Sequence, residues 1–138
     1  MRVMVIVKSS GENENTLPVE NEFKEMADFN DELVKAGVML AGEGLHPSKR
    51  GARIQYAGSK RAVIDGPFTE SKELVAGFWI LQVKTFEEAV EWLKRAPFRD
   101  GEVELRRVQE LEEFGPEMTP EVRAQEERQR EALAARRQ

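Results

Sequence analysis

The chain has 138 residues, 40% of them hydrophobic and 34% charged, with a formal net charge of −5. That length suits one domain able to bury a core without covalent staples, and the acidic balance argues against sequence-independent nucleic-acid binding, which relies on many Lys and Arg contacts to phosphate. The absence of cysteine excludes disulfides, thiolate nucleophiles and cysteine-held metal.

The apolar, β-branched run Val3–Val7 reads as a central strand buried on both faces. Lys8 follows too soon for a signal core or a membrane span, so a cytoplasmic protein with no membrane association is expected. A polar loop around Gly11 leads to a helix over about Pro18–Ala36. Phe23, Met26, Ala27, Leu33 and Val34 form its apolar stripe, and six acids cover much of the rest. Gly37 supplies a left-handed stop.

Val38–Ala41 is the second strand, followed by the irregular Gly42–Ser48. Arg53–Ala57 and Arg61–Ile64, joined by Gly58-Ser59, form a hairpin. Asp65-Gly66-Pro67-Phe68 breaks it sharply. Gly77–Val83 is the strongest strand in the chain. Thr85-Phe86-Glu87-Glu88 is a capping box that opens a helix closed by Pro97. Glu102–Val108 is the last strand.

Removing the hairpin leaves βαββαβ, so the expected fold is α+β and ferredoxin-like, with an inserted β-hairpin. Two helices cover one sheet face. The alternation of side chains along Phe78–Val83 puts apolar groups on the other face too. A second copy is therefore expected to cover it, giving a homodimer; a C-terminal segment folded over that face is the rival arrangement. The domain is expected to span 1–109. From 110 to 138 runs a linker and a charged helical tail, with Thr119 as cap and Glu126 and Arg130 spaced to pair.

His46 is the lone histidine, in a Gly-rich segment beside Glu43 and Pro47. Imidazole is the usual proton carrier near neutral pH. The simpler reading of His46 is an exposed loop residue with local hydrogen bonds, and it leads. One histidine without cysteine gives no metal centre, and neither a phosphate loop nor a nucleophile elbow is present, so no cofactor is expected. Asp65 reads first as a turn residue accepting from nearby backbone N–H groups, and second as the orienter of His46.

Lys72 and Glu73 belong to a charged connection that is either solvated or at a cleft mouth. Between His46 and Arg61 stand five basic residues and no acid: Lys49, Arg50, Arg53, Lys60 and Arg61. Such a patch attracts a small anionic ligand through arginine forks, pairs with an acidic helix of a neighbouring subunit, or guards an edge hairpin. Tyr56 is the main aromatic nearby, so base stacking on single-stranded nucleic acid is not expected. Trp79 and Trp92 read as core or interface residues.

Taken in order, Gly42-Glu43-Gly44-Leu45-His46-Pro47-Ser48, Asp65-Gly66-Pro67-Phe68 with Thr69–Glu73 and Gly77-Phe78, the capping box and Glu117-Met118-Thr119-Pro120-Glu121 resemble the DGPF family, a branch of the YCII-like proteins. The resemblance implies a ferredoxin-like fold that dimerises through its sheets, of the dimeric α/β-barrel type. YCII-like relatives use a His–Asp pair with the histidine in the first helix. Here Phe23, Met26 and Phe29 occupy that helix, and the pair does not transfer. Relatives of this branch occur beside or fused to extracytoplasmic sigma factors, which implies a regulatory role by association.

Two functions stay open, beside a third reading as a purely structural dimer with no ligand. The first is a dimeric small-ligand protein with acid–base chemistry at His46, Asp65 and Glu43, and ligand contacts from Arg50, Arg53, Lys72 and Glu73. The second is a non-catalytic regulatory or interaction module.

Overall fold

The computed structural model describes residues 1–9, 13–68 and 74–136. These residues group into two compact units, Met1–Val108 and Gln109–Gln138.

In the first unit the order is β1 (Arg2–Ser9), α1 (Glu20–Lys35), β2 (Met39–Gly44), β3 (Ala52–Ala57), β4 (Lys60–Asp65), β5 (Leu74–Gln82), α2 (Phe86–Lys94) and β6 (Val103–Arg107). Four strands form one antiparallel sheet in the order β2-β5-β1-β6, while β3 and β4 form a separate two-stranded sheet. The chain is thus α+β. The pairs β1/β2 and β5/β6 each run parallel with one strand between them, which is the split βαβ arrangement.

The core follows from side-chain alternation. Val3 and Val5 on β1 and Trp79 and Leu81 on β5 meet Phe29 and Leu33 of α1 and Ala89 and Leu93 of α2. The intervening residues turn to the other face, where Ile6 stands opposite Phe78 and Met4 opposite Ile80. The same two rows end in charge at β6, with Glu104 beside Ile6 and Arg106 beside Met4. That face therefore carries a half-buried apolar centre beside a charged edge strand.

Local chemistry sets the helix ends. Gly37 stands just past α1 with φ +71°, a conformation that costs glycine little. On the outer side of α1, Lys24 pairs with Asp28 at 2.6 Å. The hydrogen bond and charge of Asp28 hold the Lys24 ammonium above the ordinary lysine range. Thr85 caps α2, its Oγ1 accepting from the Glu88 N–H at 3.2 Å, while Glu88 Oε2 accepts from the Lys84 N–H at 2.9 Å. Thr85→Ala is expected to cost about 1 kcal/mol, read as a lower midpoint in thermal unfolding.

Two strands depart from the sequence reading by about three residues at one end. β2 runs on through Gly44, because Gly42, Glu43 and Gly44 keep their register with Trp79, Phe78 and Gly77 of β5. β5 begins at Leu74 rather than Gly77, since Leu74 and Val75 pair with Ser9 and Lys8 beyond a bulge. Pairing with a neighbouring strand outweighs the weak strand propensity of glycine in both places.

In the second unit, a 3₁₀ turn over Leu111–Glu113 precedes α3 (Pro120–Ala135). Thr119 Oγ1 accepts from the Val122 N–H at 3.3 Å. Arg123 donates to the Leu111 carbonyl at 2.6 Å and tethers the turn to the helix. Arg130 lies 3.6 Å from Glu110 rather than serving the helical spacing to Glu126. Among the described residues, no helix is long and apolar enough to cross a membrane.

Candidate functional site

The segment after β2 and the turn after β4 are locked together by one serine. The Ser48 N–H donates to Glu14 Oε1, and its hydroxyl donates to Glu14 Oε2 at 2.8 Å. The same hydroxyl oxygen accepts from the Phe68 N–H at 3.0 Å. Behind it, the Gly66 N–H donates to the Gly51 carbonyl at 3.0 Å. Gly66 passes so close to this segment that a Cβ there would stand 1.7 Å from the Ser48 carbonyl oxygen. Gly66 and Phe68 of the turn therefore seat against the segment from Ser48 to Gly51.

Beside this junction opens a cleft of about 380 Å³, lined by Glu14, His46, Ser48, Arg50, Arg53 and Phe68, with Leu45, Leu74 and Val75 as apolar wall. Pro47 and Ser48 begin a short 3₁₀ turn that presents Arg50. β3 presents Arg53, whose guanidinium lies 3.9 Å from the Phe68 ring centroid. Stacking of this kind flattens the arginine against the wall and fixes the plane of its guanidinium. Among the described residues Glu14 is the one carboxylate lining the cleft, and it already accepts both Ser48 donors.

His46, Arg50 and Arg53 are thus brought to one cleft, with the imidazole exposed. Glu43 is elsewhere. It stands opposite Phe78 on β2 and borders a second cleft of about 330 Å³, whose lining includes Met26, Asn30, Trp79 and Phe98. Asp65 is exposed, paired with Ala52 at the end of β4. Among the described residues no hydrogen bond or ion pair joins it to His46. Lys72 and Glu73 lie outside the described residues.

Glu14, Ser48 and Phe68 are the additions that local reading did not single out. Their links span 34 and 20 positions, and no spacing rule signals them. In the second cleft, Trp79 is held by its Nε1–H donating to Asn30 Oδ1 at 2.9 Å and by edge contacts to Phe29 and Phe98. Among the described residues no cluster of three His, Asp or Glu side chains is suited to hold a metal.

Fold and site together define a small α+β protein with a split βαβ sheet and a cationic cleft beside one edge. The chain belongs to the YCII-related domain family, whose family model matches residues 1–112. It is similar to an uncharacterized protein, R00369, of Rhizobium meliloti (strain 1021), with 27% identity over 90 residues, covering 63% of this chain and 73% of that protein. Among solved structures it is similar to 5-chloro-2-hydroxyhydroquinone dehydrochlorinase (TftG) of Burkholderia phenoliruptrix AC1100, in complex with 2,5-dihydroxybenzoquinone. That likeness has a TM-score of 0.40 and 10% identity over 79% of this chain and 94% of the other.

Proposed function

We propose that this YCII-related protein works as a homodimer that binds a small anion with an apolar body in the cleft of His46, Arg50 and Arg53. The convergence of two guanidinium groups on an apolar wall carries the reading. In a chain of net charge −5, such a concentration of positive charge selects for a negative ligand. Arg50 and Arg53 pair with its carboxylate or phosphate as donors, while Phe68, Leu74 and Val75 cover its carbon atoms. His46 borders the same cleft and exchanges a proton with the bound molecule, as imidazole side chains commonly do. The homodimer reading is supported by Met4, Ile6, Phe78 and Ile80 on the sheet face away from the helices.

Titration calorimetry with benzoate and with inorganic phosphate as probes tests the binding. Arg50→Ala is expected to weaken the preferred probe roughly tenfold, the usual size of a charge-assisted hydrogen bond lost. Arg53→Ala should cost at least as much, because the stacked wall goes with it. Raising the salt should weaken binding to the unaltered protein and have less effect on the double variant. Equal affinity in the double variant and the unaltered chain would remove the proposal.

A further inference from the structure

The hairpin of β3 and β4 is exposed on a scale that its own chain does not explain. Ile54 is 51% exposed, Tyr56 69% and Val63 66%. Register puts them on one face, with Ile54 opposite Val63 and Tyr56 opposite Arg61. The strip is continuous and ends in a cation, as the Arg61 guanidinium lies 4.7 Å from the Tyr56 ring centroid. A two-stranded hairpin with both edges open is marginal by itself, and an apolar strip on it is a docking surface or a hazard.

A complementary surface lies at the start of α1. Leu17, Val19 and Phe23 are 83%, 60% and 61% exposed. Phe23 also borders a cleft of about 330 Å³ shared with Pro18, Met26, Pro97 and Phe98. The charges lining it are Glu22, Asp100 and Arg99, the last paired with Glu25, which leaves an acidic excess. Glu25 and Glu32 face Arg99 and Arg95, and Asp28 faces Lys24, whereas Glu20 and Glu22 in the first turn stand outside those pairs. Apolar strip and basic tip on one element match apolar cleft and acidic rim on the other.

We propose that the β3–β4 hairpin is an arm that docks on the N-terminal end of α1 in a second copy of the chain. The proposal rests on the homodimer reading above. Ile54, Tyr56 and Val63 cover Phe23 and the adjoining cleft, while Arg61 meets Glu20 and Glu22. A two-fold axis makes the contact twice, since each copy carries one arm and one receiving surface. The base of the arm carries Arg53, so docking also steadies one wall of the anion cleft.

The chain has no cysteine, so a disulfide can be introduced cleanly. Tyr56→Cys and Phe23→Cys are made in separate, differently tagged chains, co-expressed, and exposed to mild oxidant. Both positions are exposed, so neither change disturbs the core. A covalent heterodimer as the main product, without covalent homodimers of either variant, is the expected result. Sedimentation of the unaltered protein runs alongside. A monomer there would overturn both the arm and the homodimer. A dimer that yields no mixed disulfide would overturn the arm alone. As a second line, Arg61→Glu should raise the dissociation constant tenfold or more, and Glu22→Arg in the same chain should restore it. A charge swap that recovers nothing counts against the contact.

Discussion

Gly66→Ala is expected to lower the thermal unfolding midpoint by roughly 10 °C and to abolish anion binding in the His46–Arg50–Arg53 cleft. The added Cβ would stand 1.7 Å from the Ser48 carbonyl oxygen and 2.6 Å from its carbonyl carbon. Both are backbone atoms, so no rotamer change relieves the overlap. Ser48 is in turn held by Glu14 and Phe68. Either the turn swings away and gives up the Phe68 and Gly66 N–H bonds, or the Ser48 segment moves and takes Arg50 with it. Overpacking of this kind costs about 3 kcal/mol. Thermal denaturation followed by circular dichroism, together with benzoate and phosphate calorimetry on the folded variant, checks both parts. A variant that melts and binds as the unaltered protein does would mean that this junction is not tight.

Leu81→Ala is expected to cost about 3 to 4 kcal/mol, the range for deleting a fully buried leucine whose neighbours cannot collapse. Leu81 is 0% exposed on the central strand β5. It stands between Val3 of β1 and Met39 of β2 in register. Hydrogen-bonded strands hold those neighbours in place, so a cavity remains beneath Leu33 and Leu93 of the same core. Urea unfolding should show a lower midpoint with little change in slope. The contrast is Leu133→Ala on α3, where the side chain is 56% exposed and the expected change is within about 0.5 kcal/mol.

Much of the secondary structure was legible because it depends on near neighbours. The Val3–Val7 run, the stop at Gly37 and the capping box at Thr85 each carry their signal within a few residues, whereas the α1 stripe did not: Phe23, Ala27 and Val34 are exposed, and Phe29 and Leu33 are the residues the helix buries. The Gly58-Ser59 hairpin also formed where its turn chemistry pointed, its strands running from Ala52 to Ala57 and from Lys60 to Asp65. The course of β2 through Gly42–Gly44 was not legible, since only the facing residues of β5 make glycines extend. Nor was the partner of Arg130, which helical spacing assigned to Glu126 and the folded unit gave to Glu110.

The candidate site divides the same way. A run of five basic residues without an acid between His46 and Arg61 marked the region before any fold was known. His46, Arg50 and Arg53 do border one cleft. Grouping Glu43 with them required geometry that no local pattern contains, and the sheet directs Glu43 to Phe78 instead. Glu14 is the reverse case. It looks like an ordinary loop acid, yet it organises the junction through Ser48.

By itself, then, the amino-acid order determined which segments become strands and helices, the apolar rows of β1 and β5, and the stretch where positive charge gathers. Hydrophobic period, caps and turns act over one to four residues and are written along the chain. The tertiary structure alone decided that Glu14, Ser48, Gly66 and Phe68 meet, that Glu43 and His46 part, and which residues of the hairpin are exposed. Those outcomes depend on contacts between residues far apart in sequence, and such contacts exist only once the strands have found their register.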